Sequence, residues 1–295
     1  MLRGLYTAAA GMLAEQRRHQ IVTNNVANLN TPGFKQSNAV LRSFPEMLIH
    51  AVGGNAVPAA RPIGRLNTAV IAEENLHVWA QGDLEETGRP LDFALVSDIP
   101  VDGVRFGAYG IGVDETGARV FQPQAFFAVR NADGELRLTR NGRFVAGTGG
   151  RLTTPEGFEV LGRDGRPIVL PPGADVSQWR VTPDGRFVDA SGAPVTGPDG
   201  VELALGLYVA EDPHALVREG DGVFRWEGDA ALLRLLDGPE PGVEVRQGYL
   251  ERSNVDAAQA MVELVAALRA FEANQKVVQA YDRSLEKAVN EVGRV

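Results

Sequence analysis

Residues 253–292 read "SNVDAAQAMVELVAALRAFEANQKVVQAYDRSLEKAVNEV" and contain neither proline nor glycine. Steps of three and four from Met261 reach Leu264, Leu268, Phe271, Gln275, Val278, Asp282, Leu285, Val289 and Val292, and eight of these ten are apolar. A stripe kept up over more than four heptads predicts one long helix with an edge that must be covered. Ser253-x-x-Asp256 has the form of a capping box, and Gly293 suits a C-terminal cap. At ~1.5 Å per residue the helix would run roughly 55–60 Å, well beyond an average globular helix. Gln275 and Asp282 interrupt the stripe, either by facing solvent or by setting the register of an assembling helix.

The opposite end carries a weaker stripe. From Leu2 the same steps give Leu5, Ala9, Met12, Gln16, His19, Thr23 and Val26, five of the eight apolar. Gly4 and Gly11 weaken this helix, each by about 1 kcal/mol against alanine. It runs into "NNVANLNTPGFK", residues 24–35, where Asn24, Asn25, Asn28 and Asn30 precede a Pro-Gly break. Such amides either cap a helix end within the chain or offer donors and acceptors to a neighbour. Arg3 ahead of the apolar residues 5–14 also has the outline of a short signal peptide, but the periodic pattern continues past any cleavage point.

Between the ends the period changes. Alternating runs such as "ELRLT", residues 135–139, are separated by Asp133-Gly134, Asn141-Gly142, Asp164-Gly165, Asp184-Gly185, Asp199-Gly200 and Asp221-Gly222. These dipeptides favour primed turns, so the middle predicts an antiparallel β body over 75–249. Residues 36–74, with Pro45, Pro58, Pro62 and Gly53-Gly54, are expected to form an extended connector. The expected fold is mixed α and β: residues 1–35 and 250–295 pair as a coiled-coil-like helical core around a central β domain.

Bulk properties narrow the function classes. The net charge of -9 argues against nucleic acid or an anionic membrane surface as the main partner, and no apolar run is long enough to insert in a bilayer. With no cysteine, disulfides and thiolate metal sites are excluded. His19, His50, His77 and His214 are scattered, without metal-ligand spacing. Gly110-Ile111-Gly112 lacks the third glycine of a nucleotide fingerprint, and the following Asp114-Glu115 would repel a pyrophosphate. No catalytic residue and no cofactor are therefore expected. The N-terminal 35 residues carry Arg3, Arg17, Arg18 and Lys35 against Glu15, a mild charge complement to the acids of the C-terminal end.

The ends resemble a known family. "LYTAAAGMLAEQRRHQIVTNNVANLNTPGFK", residues 5–35, is similar to the N-terminal signature of the flagellar basal-body rod and hook proteins. "GYLERSNVDAAQAMVELVAALRAFEANQKVVQAYDRSLEKAV", residues 248–289, resembles that family's C-terminal signature, and "QGDLEETGRPLD", residues 81–92, a third segment. Together these cover about 85 residues in the expected order. The resemblance, closest to the distal-rod type, implies a structural, non-catalytic subunit. It implies export by the flagellar type III apparatus without a cleaved signal. It also implies assembly with copies of itself and other axial proteins into a helical tube that carries torque. The departure from the family is an insertion of about 99–124, read as an extra hairpin.

Isolated helices this weak are expected to gain order on assembly. The assembly interface is accordingly placed on Leu5, Met12, Asn24, Asn25, Asn28 and Asn30 at one end. At the other it is placed on Met261, Leu264, Leu268, Phe271, Val278, Leu285 and Val289. Two other readings fit the residues: a secreted β-rich adhesin with a helical stalk, and a carbohydrate-active enzyme in the β body.

Overall fold

Two helices bracket the chain: α1, Arg3–Ala27, and α2, Ala257–Lys287. The computed structural model describes residues 3–51, 61–107 and 109–292. Leu2, Gly53, Gly54, Pro58 and Gly293, which entered the sequence reading, lie outside them, as does the side chain of Val292. The chain divides into two compact units. One holds Met1–Ala27, Ser37–Leu76 and Asp256–Val295; the other holds Asn28–Gln36 and His77–Val255.

In the first unit α1 and α2 run antiparallel, and glycine sets how close they come. A methyl group at Gly4 would strike the ring and hydroxyl of Tyr281, and one at Gly11 would lie 2.9 Å from Asn274 Nδ2. The two residues that weaken α1 as a lone helix are thus where α2 presses on it. The helix start differs from the expected capping box: Asp256, not Ser253, is the N-cap, and its carboxylate accepts from the backbone of Ala258 and Gln259. An aspartate one residue ahead of the first helical turn satisfies two orphan amides directly. Beyond Lys287 the chain widens into a π-type turn, Ala288–Val292.

The expected connector is folded into strand pairs. Ser37–Ser43 pairs with Val70–His77, and Met47–Ala51 runs antiparallel to Arg61–Leu66. The register slips between Ile49 and His50, next to the position opposite Pro62, where proline has no amide to give the ladder. Two-stranded ladders leave one face uncovered, so Met47, Leu48 and Ile63 stay exposed.

The second unit is built on the strand Gln124–Arg130, at the centre of a nine-stranded sheet. Its neighbours Leu136–Thr139, Leu207–Ala210 and Glu159–Val160 all pair with it antiparallel. "QAFFAVR" is apolar on both faces because both are covered. Phe127 and Val129 enter a large core with Phe93, Phe144, Phe187 and Leu205, while Phe126 enters a second with Trp79, Leu138 and Phe224. The 99–124 segment contains a short hairpin, Ile111–Val113 against Arg119–Phe121.

Turn chemistry departs from the expectation in two ways. Among the described residues, Asp221 alone of the non-glycines has a positive φ (49°), so of the six dipeptides only Asp221-Gly222 provides the paired left-handed residues of a type I′ turn. At Asp133-Gly134 the left-handed residue is Gly134 alone, and Asn131 and Glu135 close the loop behind it. Asn141-Gly142 is no hairpin turn. Gly142 lies flat against the Phe93 carbonyl, where any side chain would collide, and its own carbonyl accepts from Phe93 N at 2.9 Å.

Candidate functional site

Helix α2 buries one edge against α1, and that edge mixes large and small side chains. Along it Ala260, Leu264, Ala267, Phe271, Asn274, Val278, Tyr281 and Leu285 are covered or half-covered in a four-three alternation, with Glu263 and Ala270 half-covered beside them. Leu264, Phe271, Val278 and Leu285 therefore line the seam. The other column of the seam is one residue earlier than the stripe read from the sequence. Small Ala260 and Ala267 are buried, while Met261, Leu268 and Val289 are exposed, Val289 by 70%. Val262, Val265 and Val277 are exposed beside them. Small residues in this column permit close helix approach, and the larger apolar side chains next to it are left outside.

On α1, Leu5 and Met12 are half-buried, and Ala8, Ala14, Ile21, Val22 and Asn25 are buried. Tyr6 and Leu13, seven residues apart, are each 68% exposed. The asparagines divide. Asn25 is 1% exposed, and its amide closes a ring with Ser37, donating to the carbonyl at 2.8 Å and accepting from the amide at 3.0 Å. Asn28 Oδ1 accepts from the Thr31 hydroxyl at 3.1 Å, inside the turn that follows the helix. Asn24 and Asn30 are exposed.

The second unit contains a buried ion cluster that joins the quoted signatures to Arg140. Lys35 Nζ donates to Glu251 Oε1 at 2.5 Å and to the Ala80 carbonyl at 2.9 Å. Glu251 Oε1 also accepts from Gly82 N at 3.0 Å, and Oε2 from Arg140 Nε at 3.0 Å. Arg140 completes its fork on the Ala125 carbonyl (2.8 Å) and Gln81 Oε1 (2.9 Å). All three charged side chains are fully buried. Two cations share one anion, so burial dominates at Lys35 and lowers its pKa to about 8 against the pull of Glu251. Burial pushes the Glu251 carboxyl up, but Arg140 and Lys35 together hold it below its ordinary value.

Neighbouring contacts fasten the same signatures. Asn254 Oδ1 accepts from Gln36 N at 2.7 Å, and its Nδ2 donates to the carbonyls of Val78 (2.8 Å) and Ala80 (3.1 Å). Arg218 stacks on Phe34, its guanidinium carbon 4.2 Å from the ring centre, and donates to the Lys35 carbonyl at 2.5 Å. Burial lowers the Arg218 pKa to about 10.

Lys35, Gln81, Arg140, Arg218, Glu251 and Asn254 were missed as a set by sequence reasoning. Lys35 was counted there among the N-terminal charges that complement the acidic end; it is buried and paired with Glu251. Lys35, Gln81 and Glu251 sat inside the quoted segments, but a lysine and a glutamate more than two hundred residues apart carry no local sign of pairing. Among the described residues there is no group of three or more His, Asp or Glu placed to hold a metal, and no helix long and apolar enough to cross a membrane.

Comparison with known proteins matches three segments in order. Residues 5–35 match the flagella basal body rod protein family, 121–188 the D1 domain of the flagellar hook protein FlgE/F/G group, and 246–291 the C-terminal region of the basal body rod FlgEFG proteins. Over its whole length the chain is 33% identical to the flagellar hook-basal body complex protein FlhO of Bacillus subtilis, covering 100% of both chains. The chain belongs to the flagellar basal-body rod and hook family. It is also similar to the basal-body rod protein FlgG of Agrobacterium fabrum, 28% identical over 95% of this chain and 96% of that one. With FlgF of Escherichia coli the identity is 29%, over 98% and 97%. As a member of this family the chain is a structural protein of the flagellar basal body, without catalytic function.

Proposed function

We propose that this chain is an exported subunit of the basal-body rod that assembles with copies of itself and with other axial proteins into a helical tube transmitting torque. The single observation that carries this reading is the division of labour on α1 and α2. Gly4 and Gly11 on α1, with Ala260 and Ala267 on α2, let the helices approach within the chain, and Tyr6, Leu13, Met261, Val262, Val265 and Leu268 are left exposed. Burying such surface is worth about 25 cal/mol per Å², so a stack of sister helices is the arrangement that uses it. The α1–α2 seam then acts as the inner part of a coiled-coil-like core. Export by the type III apparatus without a cleaved signal follows from the same family reading.

The test is complementation of a strain lacking the gene. The wild-type chain should restore motility and complete basal bodies by electron microscopy. Met261→Glu/Leu268→Glu should leave the helix content of the purified chain unchanged, yet fail to restore either. Full restoration by that variant, or complete basal bodies in the deletion strain, would refute the reading.

A further inference from the structure

Two apolar patches on the helix pair are unlike each other and are displaced along its axis. Tyr6 and Leu13 form one line on α1; Met261 and Leu268, with Val265 between them, form one on α2. Both pairs are seven residues apart, the repeat of a helix seam. Within the chain Gly4 meets Tyr281 and Gly11 meets Asn274, so Leu13 stands level with Glu272, not with Met261. Aligning Leu13 with Met261 requires a shift of eleven residues, ~16 Å at 1.5 Å per residue.

We propose that the Tyr6–Leu13 patch of one copy docks on the Met261–Leu268 patch of a second copy displaced by ~16 Å along the helix axis. This rests on the rod reading above, in which all copies point the same way and α1 of one therefore runs antiparallel to α2 of the next.

Charge supports that register. With Leu13 opposite Met261, Tyr6 falls opposite Leu268. Arg3 then falls one residue from Glu272, and Arg17 lies beside the turn that carries Asp256. Among the described residues Arg3, Arg17 and Glu272 are exposed and make no ion pair within the chain. The apolar contact is thus bracketed by opposite charges, of which Asp256 also caps its own helix. Because the two patches differ, the contact is heterologous: each copy offers one patch to each side, and the series does not close as a two-fold dimer would.

The absence of cysteine in the chain makes the test direct. Leu13→Cys and Met261→Cys are exposed single substitutions. Within one chain the two sites are ~16 Å apart along the axis, beyond the ~7 Å that a disulfide spans. Under mild oxidation at high concentration, a mixture of the two single variants should give at least ten times more covalent dimer than either alone. The double variant should give a ladder. Arg3→Glu should reduce the yield severalfold, and adding Glu272→Arg should restore it.

Equal cross-linking of a single variant with itself would overturn the proposal in favour of a two-fold contact. Sedimenting assemblies without the 13–261 bond would overturn this register and leave the rod reading standing. No association at any concentration would overturn both.

Discussion

Lys35 Nζ and Glu251 Oε1 lie 2.5 Å apart, fully buried, and join positions separated by 216 residues of chain. Among the described residues Glu251 is the one anion paired with both Lys35 and Arg140. Its replacement by glutamine leaves two buried cations without a counter-charge. Glu251→Gln should cost about 3–5 kcal/mol of stability, the usual penalty for breaking a buried ion pair. Lys35→Met, which leaves Glu251 paired with Arg140, should cost less. Urea denaturation of the purified variants measures both, and a Glu251→Gln chain as stable as wild type would remove the cluster from any structural role.

The same lysine sets a pH dependence. Unfolding returns Lys35 from about 8 to its ordinary 10.5. Between those values the unfolded chain holds the extra proton, so the native state gains stability as pH rises through this window. Below pH 8 the penalty of a buried charged lysine is present in full. Denaturation midpoints compared at pH 7.5 and 10 should show the rise in wild type, and Lys35→Met should lack that component.

An acid response has a different origin. His77 sits edge-on to Trp79 and Phe224, and burial, aided by Arg218 and His214, lowers its pKa to about 3. From pH 6.5 downward the unfolded chain binds a proton that the native chain refuses, so stability falls as pH drops toward 3. His77→Phe should flatten the part of the acid transition between pH 6.5 and 4, as read by tryptophan fluorescence.

Glycine in α1 gives a prediction whose sign is the reverse of helix propensity. Alanine in place of glycine inside a helix ordinarily gains about 1 kcal/mol. Here Gly4→Ala drives a methyl group into Tyr281, and Gly11→Leu pushes against Asn274. Both should lower the thermal stability of the helix pair followed at 222 nm. Tyr281→Ala should restore it in the Gly4→Ala background and not in Gly11→Leu. Stabilisation by Gly4→Ala alone would show that the helices are not held at this distance.

Asn25 and Asn30 should differ although they occupy the same motif. Asn25→Ala removes two buried hydrogen bonds to the backbone of Ser37, each worth about 0.5–1.5 kcal/mol. Asn30 is exposed in the turn, and Asn30→Ala should fall within about 0.5 kcal/mol of wild type. Denaturant titration separates the two.

The elements themselves were legible from period and punctuation. A run of forty residues without Gly or Pro announces α2, and Asp-Gly pairs between alternating runs announce the β body. What was not legible was which column of α2 is covered. A search for apolar bulk follows Met261, Leu268 and Val289, whereas the close seam selects Ala260 and Ala267, which carry little hydrophobic signal. Glycine in α1 reads as weakness until a partner helix is present to need the space. The strand pairs over 37–76 were hidden by Pro and Gly, which a short ladder with a register slip accommodates. The buried cluster was invisible for a simpler reason: lysine, arginine and glutamate are surface residues by default, and only the folded chain brings them together.

Tying residue 35 to residue 251 also sets a timetable. A polypeptide emerging from a ribosome exposes Lys35 and Arg140 long before Glu251 exists. Until residue 251 is made, the β body has two positive groups and lacks the carboxylate that neutralises them in its interior. Its closure therefore waits on that one residue, and the nascent chain stays unlocked until it arrives.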